Sequence, residues 1–115
     1  MRIGVPAETM AGETRVAATP ETVKKLKAQG HQVCIESGAG VDASVPDAAY
    51  EAVGGEITDA VGAWGADLVL KVRCPSEAET PRLRAGSTVV GMLNPFDAAG
   101  LQRLATAGVT AYALE

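Results

Sequence analysis

The chain has 115 residues, 47% hydrophobic and 21% charged, enough for one core but too short for a self-contained two-domain enzyme, since domains run ~100–200 residues. Ten Lys and Arg against fourteen Asp and Glu leave a formal charge of −4, which argues against nucleic acid as a partner, because phosphate binding needs a basic face. The charge is uneven: residues 1–30 hold five bases and three acids, whereas Gln32 to Leu70 hold seven acids and no base, the pattern of a solvated surface.

Residues 2–6 form the first β-rich run. No long apolar stretch follows it, so the expectation is neither a secretory signal nor a membrane span, and a cytoplasmic location. A loop over 7–18 leads to Thr19, placed to cap a helix that has Pro20 at its first position, Glu21 to complement the dipole and Gly30 as a left-handed stop. A second strand is read over 32–37, then a shorter helix over 47–53 that ends at Gly54-Gly55, then a short extended piece over 56–58. Residues 66–72 are nearly continuously apolar, as suits a strand buried on both faces. A strand over 88–93, a helix over 97–107 with Leu101 and Leu104 on one face and a stop at Gly108, and a strand over 110–114 complete the pattern.

This alternation predicts an α/β fold, a doubly wound, flavodoxin-like parallel sheet of about five strands with helices on both faces. With aromatics at 3%, the core is expected to be Val, Leu, Ile and Ala. Cys34 and Cys74 stand far apart among apolar neighbours, with no metal-ligand spacing, and read as reduced, buried thiols. The organisation is one domain over 1–115. Because the sequence stops directly behind a strand, it reads as a fragment of a longer polypeptide.

In an open parallel sheet, ligands gather at the carboxyl ends of the strands. The loops at that edge are 7–18, 38–46, 73–77 and 94–97. His31, the only histidine, follows Gly30 in a helix-to-strand turn and belongs to the opposite edge, so Cys–His, Ser–His–Asp and His-based metal sites are unsupported. Residues 38–43 fit the G-x-G-x-x-G/A pattern, with Asp59 at a suitable distance. Yet Pro46 intervenes before a helix can start, and the fingerprint needs helix amides on the pyrophosphate. Arg15 lies in the loop after the first strand, suited either to gripping a carboxylate or phosphate or to pairing with Glu8 or Glu13. Lys71 sits near the end of a buried strand, where an ammonium needs a partner; Glu8, Glu13 and Glu36 are candidates, as is a bound anion.

Gly4-Val5-Pro6-Ala7-Glu8, the run from Glu13 to Pro20, then Val23, Leu26 and Gly30 resemble the amino-terminal signature shared by alanine dehydrogenases and the alpha subunit of proton-translocating nicotinamide nucleotide transhydrogenases. The run from Glu36 to Gly40 and Leu70-Lys71-Val72 continue the resemblance, which spans essentially the whole chain; Gly12 departs from it, standing where the family usually has Asn. The resemblance implies a two-domain protein whose NAD(H) site, with a true glycine fingerprint, lies mainly beyond residue 115. It implies that residues matching Arg15 and Lys71 hold the substrate's carboxylate and carbonyl in the dehydrogenases, and that an acid/base histidine of those enzymes is replaced here by Asn94.

An amide cannot supply the proton chemistry of reductive amination. Hydride transfer between two nicotinamides needs only alignment and exclusion of water. Asn94 therefore points to the transhydrogenase side, with Arg15, Lys71 and Asn94 lining a substrate- or nucleotide-side cleft, no catalytic residue or metal site in this segment, and no activity in residues 1–115 alone. The implied partners are an NADP(H)-carrying component and membrane components, with a homodimer of the full-length subunit held peripherally at the inner membrane. The alternatives are the first domain of an alanine dehydrogenase-like enzyme and a stand-alone α/β binding module.

Overall fold

The computed structural model describes residues 1–93 and 98–114. In chain order it runs β1 (Arg2–Val5), α1 (Pro20–Ala28), β2 (Gln32–Glu36), α2 (Asp47–Glu51), β3 (Glu56–Thr58), α3 (Ala60–Trp64), β4 (Leu68–Arg73), β5 (Thr88–Met92), α4 (Ala98–Thr106) and β6 (Thr110–Ala113), with short 3₁₀ turns at Val41–Ala43 and Thr80–Arg82. All strand pairs are parallel, in the order β3-β2-β1-β4-β5-β6. The five longer strands alone follow the flavodoxin-like order 2-1-3-4-5. The three-residue piece at Glu56–Thr58 pairs with β2 and extends the sheet to six, in the other common doubly wound order.

α1 forms as its ends predict. Thr19 Oγ1 accepts the Thr22 amide at 3.3 Å, Pro20 takes the first position, and Gly30 adopts φ +91° to end the turn. α3 was not among the elements expected from sequence. Asp59 is the N-cap of that helix, accepting the Gly62 amide at 2.8 Å, so it is occupied locally and is not the acidic partner of a fingerprint.

α1 and α2 pack on Ile3, Val5, Val33 and Ile35, on one face of the sheet. α3 and α4 pack on Val69 and Val89 on the other. The core is aliphatic, as composition demands, but its two largest fully buried side chains are Trp64 and Tyr50. The Tyr50 hydroxyl donates to the Ala18 carbonyl at 2.7 Å, which removes the cost of burying it. Cys34 is buried and Cys74 half-buried, and the two form no disulfide. No helix among the described residues is long and apolar enough to cross a membrane.

Candidate functional site

Two loops meet over the carboxyl ends of β1 and β4, and carboxylates join them. Glu8 accepts Lys71 Nζ at 2.9 Å, the Val72 amide at 2.9 Å and the Arg73 amide at 3.1 Å. The Lys71 and Glu8 side chains are only 1% and 3% exposed, and Nζ also lies 5.4 Å from the centre of the Trp64 ring, within cation–π reach. Glu8 is thus the acidic partner that burial of Lys71 requires.

Arg15 is held differently. Its Nε and Nη2 donate to Glu13 Oε2 and Oε1 at 3.0 and 2.9 Å, and its amide donates to Oε2 at 2.9 Å. Arg73 Nε donates to Glu13 Oε1 at 2.8 Å. One buried carboxylate therefore carries two guanidinia that remain 54% and 48% exposed. The side-chain hydrogen bonds from Arg15, its amide and the Arg73 guanidinium hold the Glu13 carboxyl far below the usual carboxylate range. Glu79 completes the join, accepting the Thr9 hydroxyl at 2.8 Å and the Ser76 amide at 3.0 Å.

Two cavities open here. One, of about 280 Å³, is lined by Glu8, Thr9, Lys71, Arg73 and Glu79 among others. The other, of about 400 Å³, is bordered by Arg15, Val16, Leu70, Val90, Met92 and further residues of the same strands. Arg15 and Lys71 both emerge at this edge, but their side chains take different carboxylates. Lys71 is consumed by Glu8, and Arg73 is the cation that joins Arg15. Sequence reasoning missed Arg73, although it lies in one of the loops singled out at the ligand edge. Asn94 lies outside the described residues. His31 is at the far edge, where β2 begins and Arg2 pairs with Gln32.

The fingerprint-like loop is closed on itself. Asp47 accepts the Gly38 amide at 2.9 Å and the Ser37 hydroxyl at 2.7 Å, and the Gly38 amide is the main cause of its lowered pKa. A Cβ at Gly40 would sit 2.6 Å from the Val45 carbonyl oxygen and 2.9 Å from Tyr50. That glycine serves close packing within the loop, and a carboxylate already occupies the place an anionic pyrophosphate would need. The residues of this loop do not fit a dinucleotide.

The family described as "Alanine dehydrogenase/PNT, N-terminal domain" matches residues 4–115. The chain is 43% identical over 106 residues to the NAD(P) transhydrogenase subunit alpha of Cereibacter sphaeroides, covering 90% of this chain and 20% of that one. It is 42% identical over 96 residues to alanine dehydrogenase of Mycobacterium tuberculosis (strain CDC 1551 / Oshkosh), covering 82% and 26%. A crystal structure of transhydrogenase from Sinorhizobium meliloti superposes with TM-score 0.94 at 37% identity, covering 98% of this chain and 34% of that one. The chain thus spans between a fifth and a third of the length of these relatives. By sequence and by fold, it belongs to the alanine dehydrogenase/PNT N-terminal domain family.

Proposed function

We propose that this chain is the first domain of the NAD(H)-binding component of a proton-translocating nicotinamide nucleotide transhydrogenase, where it supports hydride transfer from NADH to NADP and by itself binds the dinucleotide no better than weakly. The observation that carries the reading is the lack of an imidazole at the ligand edge. The only histidine is His31, at the opposite end of the strands, and the sequence has Asn94 where the dehydrogenases would place their acid/base. Reductive amination adds ammonia at a keto carbon, expels water and delivers hydride there, and the protons that move on the attached oxygen and nitrogen need a group that titrates near neutrality. A hydride passing from one nicotinamide C4 to another leaves NAD⁺ and NADPH with no oxygen or nitrogen to protonate, so positioning and dryness suffice. NAD(H) is then held mainly beyond residue 115 and NADP(H) by a partner component, while membrane components carry the proton movement and the homodimeric subunit is peripheral to the inner membrane.

The alternative reading, a domain of an alanine dehydrogenase-like enzyme, draws on the paired guanidinia of Arg15 and Arg73, which suit a carboxylate substrate. One experiment separates the two in the longer protein carrying this domain. The expected result is hydride exchange between NADH and an NADP analogue once the partner component is added, with no alanine-dependent reduction of NAD. Robust turnover of pyruvate and ammonia would overturn the transhydrogenase reading and establish the other.

A further inference from the structure

The two edge strands of the sheet are guarded unequally. At one end β3 has only three residues, and its exposed Glu56 accepts from the Gln32 side chain at 2.8 Å, so a short strand carrying a charge blunts that edge. At the other end β6 has no strand beyond it among the described residues, and residues 104–114 contain neither a charge nor a proline. Nothing there repels a further strand.

Backbone direction identifies what this edge presents. The Thr110 and Leu114 amides donate to the Ser87 and Gly91 carbonyls at 3.0 and 2.9 Å. Successive residues of a strand turn their N–H and C=O to opposite sides, so Thr110, Tyr112 and Leu114 bond toward β5, while Ala111 and Ala113 aim both groups at the free side. Side chains alternate as well. Ala111 packs against the cluster under α4, which puts the exposed Tyr112 and Leu114 on the uncovered face.

This arrangement is complementary to itself. In an antiparallel pair centred on Tyr112, Ala111 of each strand meets Ala113 of the other, and each of these pairs exchanges two hydrogen bonds. The two Tyr112 side chains then form the non-hydrogen-bonded pair on the axis, where opposed side chains are closest, and Leu114 lies opposite Thr110 on the same face. Charge favours the same surface. The chain carries −4, but six of the seven acids between residues 32 and 70 fall between β2 and the cap of α3, toward the far end of the sheet, so two copies meet at β6 with the least repulsion.

We propose that β6 is a homodimer junction: two copies of the chain join antiparallel through Ala111 and Ala113, about a two-fold axis at Tyr112, and merge their six-stranded sheets into one. A junction one strand wide is smaller than the standard interface of about 1,600 Å², so the dimer forms and dissociates with concentration. The inference is independent of the reaction assigned to the longer protein.

The test uses the chain and the longer protein that carries it. Tyr112→Cys sets two thiols at the closest pair across the axis, within disulfide reach, whereas Ala113→Cys sets them out of register with each other. Expected in both proteins is oxidation of Tyr112→Cys to a covalent dimer at least about tenfold faster than of Ala113→Cys. Ala113→Pro removes an outward amide and leaves the β5 ladder intact. Its melting temperature is expected to match the parent chain, while sedimentation equilibrium shows the parent's mass rising toward the dimer with concentration and the variant's staying at the monomer. Should the proline unfold the chain, Tyr112→Lys makes the same test by opposing two like charges at the axis. A parent chain that stays monomeric, or a dimer that survives these substitutions, overturns the junction. Crosslinking in the chain but not in the longer protein also overturns it, and gives the edge to the segment behind residue 115.

Discussion

A buried carboxylate survives only where donors replace the water it has lost, and the three at this edge do so in different ways. Glu8 takes an ammonium and two amides, and Glu13 takes two guanidinia. For Glu79, burial pushes the carboxyl up, but the Ser76 amide, the Thr9 hydroxyl and the charge of Lys71 outweigh it, and the net direction is down. Removing one member of a buried pair strands the other, so Lys71→Met is expected to cost about 3–5 kcal/mol, whereas Lys24→Met on exposed α1 should stay within about 0.5 kcal/mol. Urea denaturation of both variants measures this, and equal midpoints would mean that Glu8 keeps its donors without the ammonium. The need of Lys71 for a partner was legible, because a lysine in an apolar strand is conspicuous. The identity of that partner was not, since it depends on how the loop over 7–18 folds back across β4. Arg73 was hidden for a sharper reason: its bond to Glu13 depends on the fold of the loop over 7–18 and on a register shift in β4 between Lys71 and Arg73, neither of which simple alternation shows.

At the scale of elements, legibility followed the strength of local signals. α1 carries a cap, an N-terminal proline and a glycine stop, and it starts where those residues say. α2 ends at Glu51, two residues before the expected end, because the chain enters the turn that Gly54 completes at φ +88°. α3 spans only five residues, contains Gly62 and lacks an apolar stripe of helical period, so packing and the Asp59 cap hold it more than propensity does. It lies very close to the sheet. A Cβ at Gly4 in β1 would run into the Ala63 carbonyl of α3, and backbone cannot yield as a flexible side chain can. Gly4→Ala should therefore destabilise the chain by about 3 kcal/mol, the upper end of overpacking costs. Gly12→Ala, in open space but at φ +84°, should cost about 1 kcal/mol from backbone strain alone. Thermal or urea unfolding of the pair checks the order; the reverse order would show that α3 can shift away from β1.

Over the whole molecule, the doubly wound sheet separates its two ends by chemistry. The amino edge carries His31 and local turns, while the carboxyl edge collects Glu8, Glu13, Arg15, Lys71, Arg73 and Glu79. On the face of α1 and α2, the far strands are less covered, leaving Tyr112 and Leu114 60% and 70% exposed. A dinucleotide would need free amides at a helix start on the carboxyl edge. The one glycine-rich loop there spends its Gly38 amide on Asp47 and its Gly40 on contact with Val45 and Tyr50, and the five-residue α2 behind it offers a short dipole whose first residue is that same aspartate. Binding pyrophosphate would mean displacing a carboxylate and repelling it. Calorimetric titration of residues 1–115 with NADH is accordingly expected to give dissociation no tighter than about 1 mM. Dissociation near 1 μM, about −8 kcal/mol, would mean that the Ser37–Asp47 loop opens, and would move the nucleotide site into this domain.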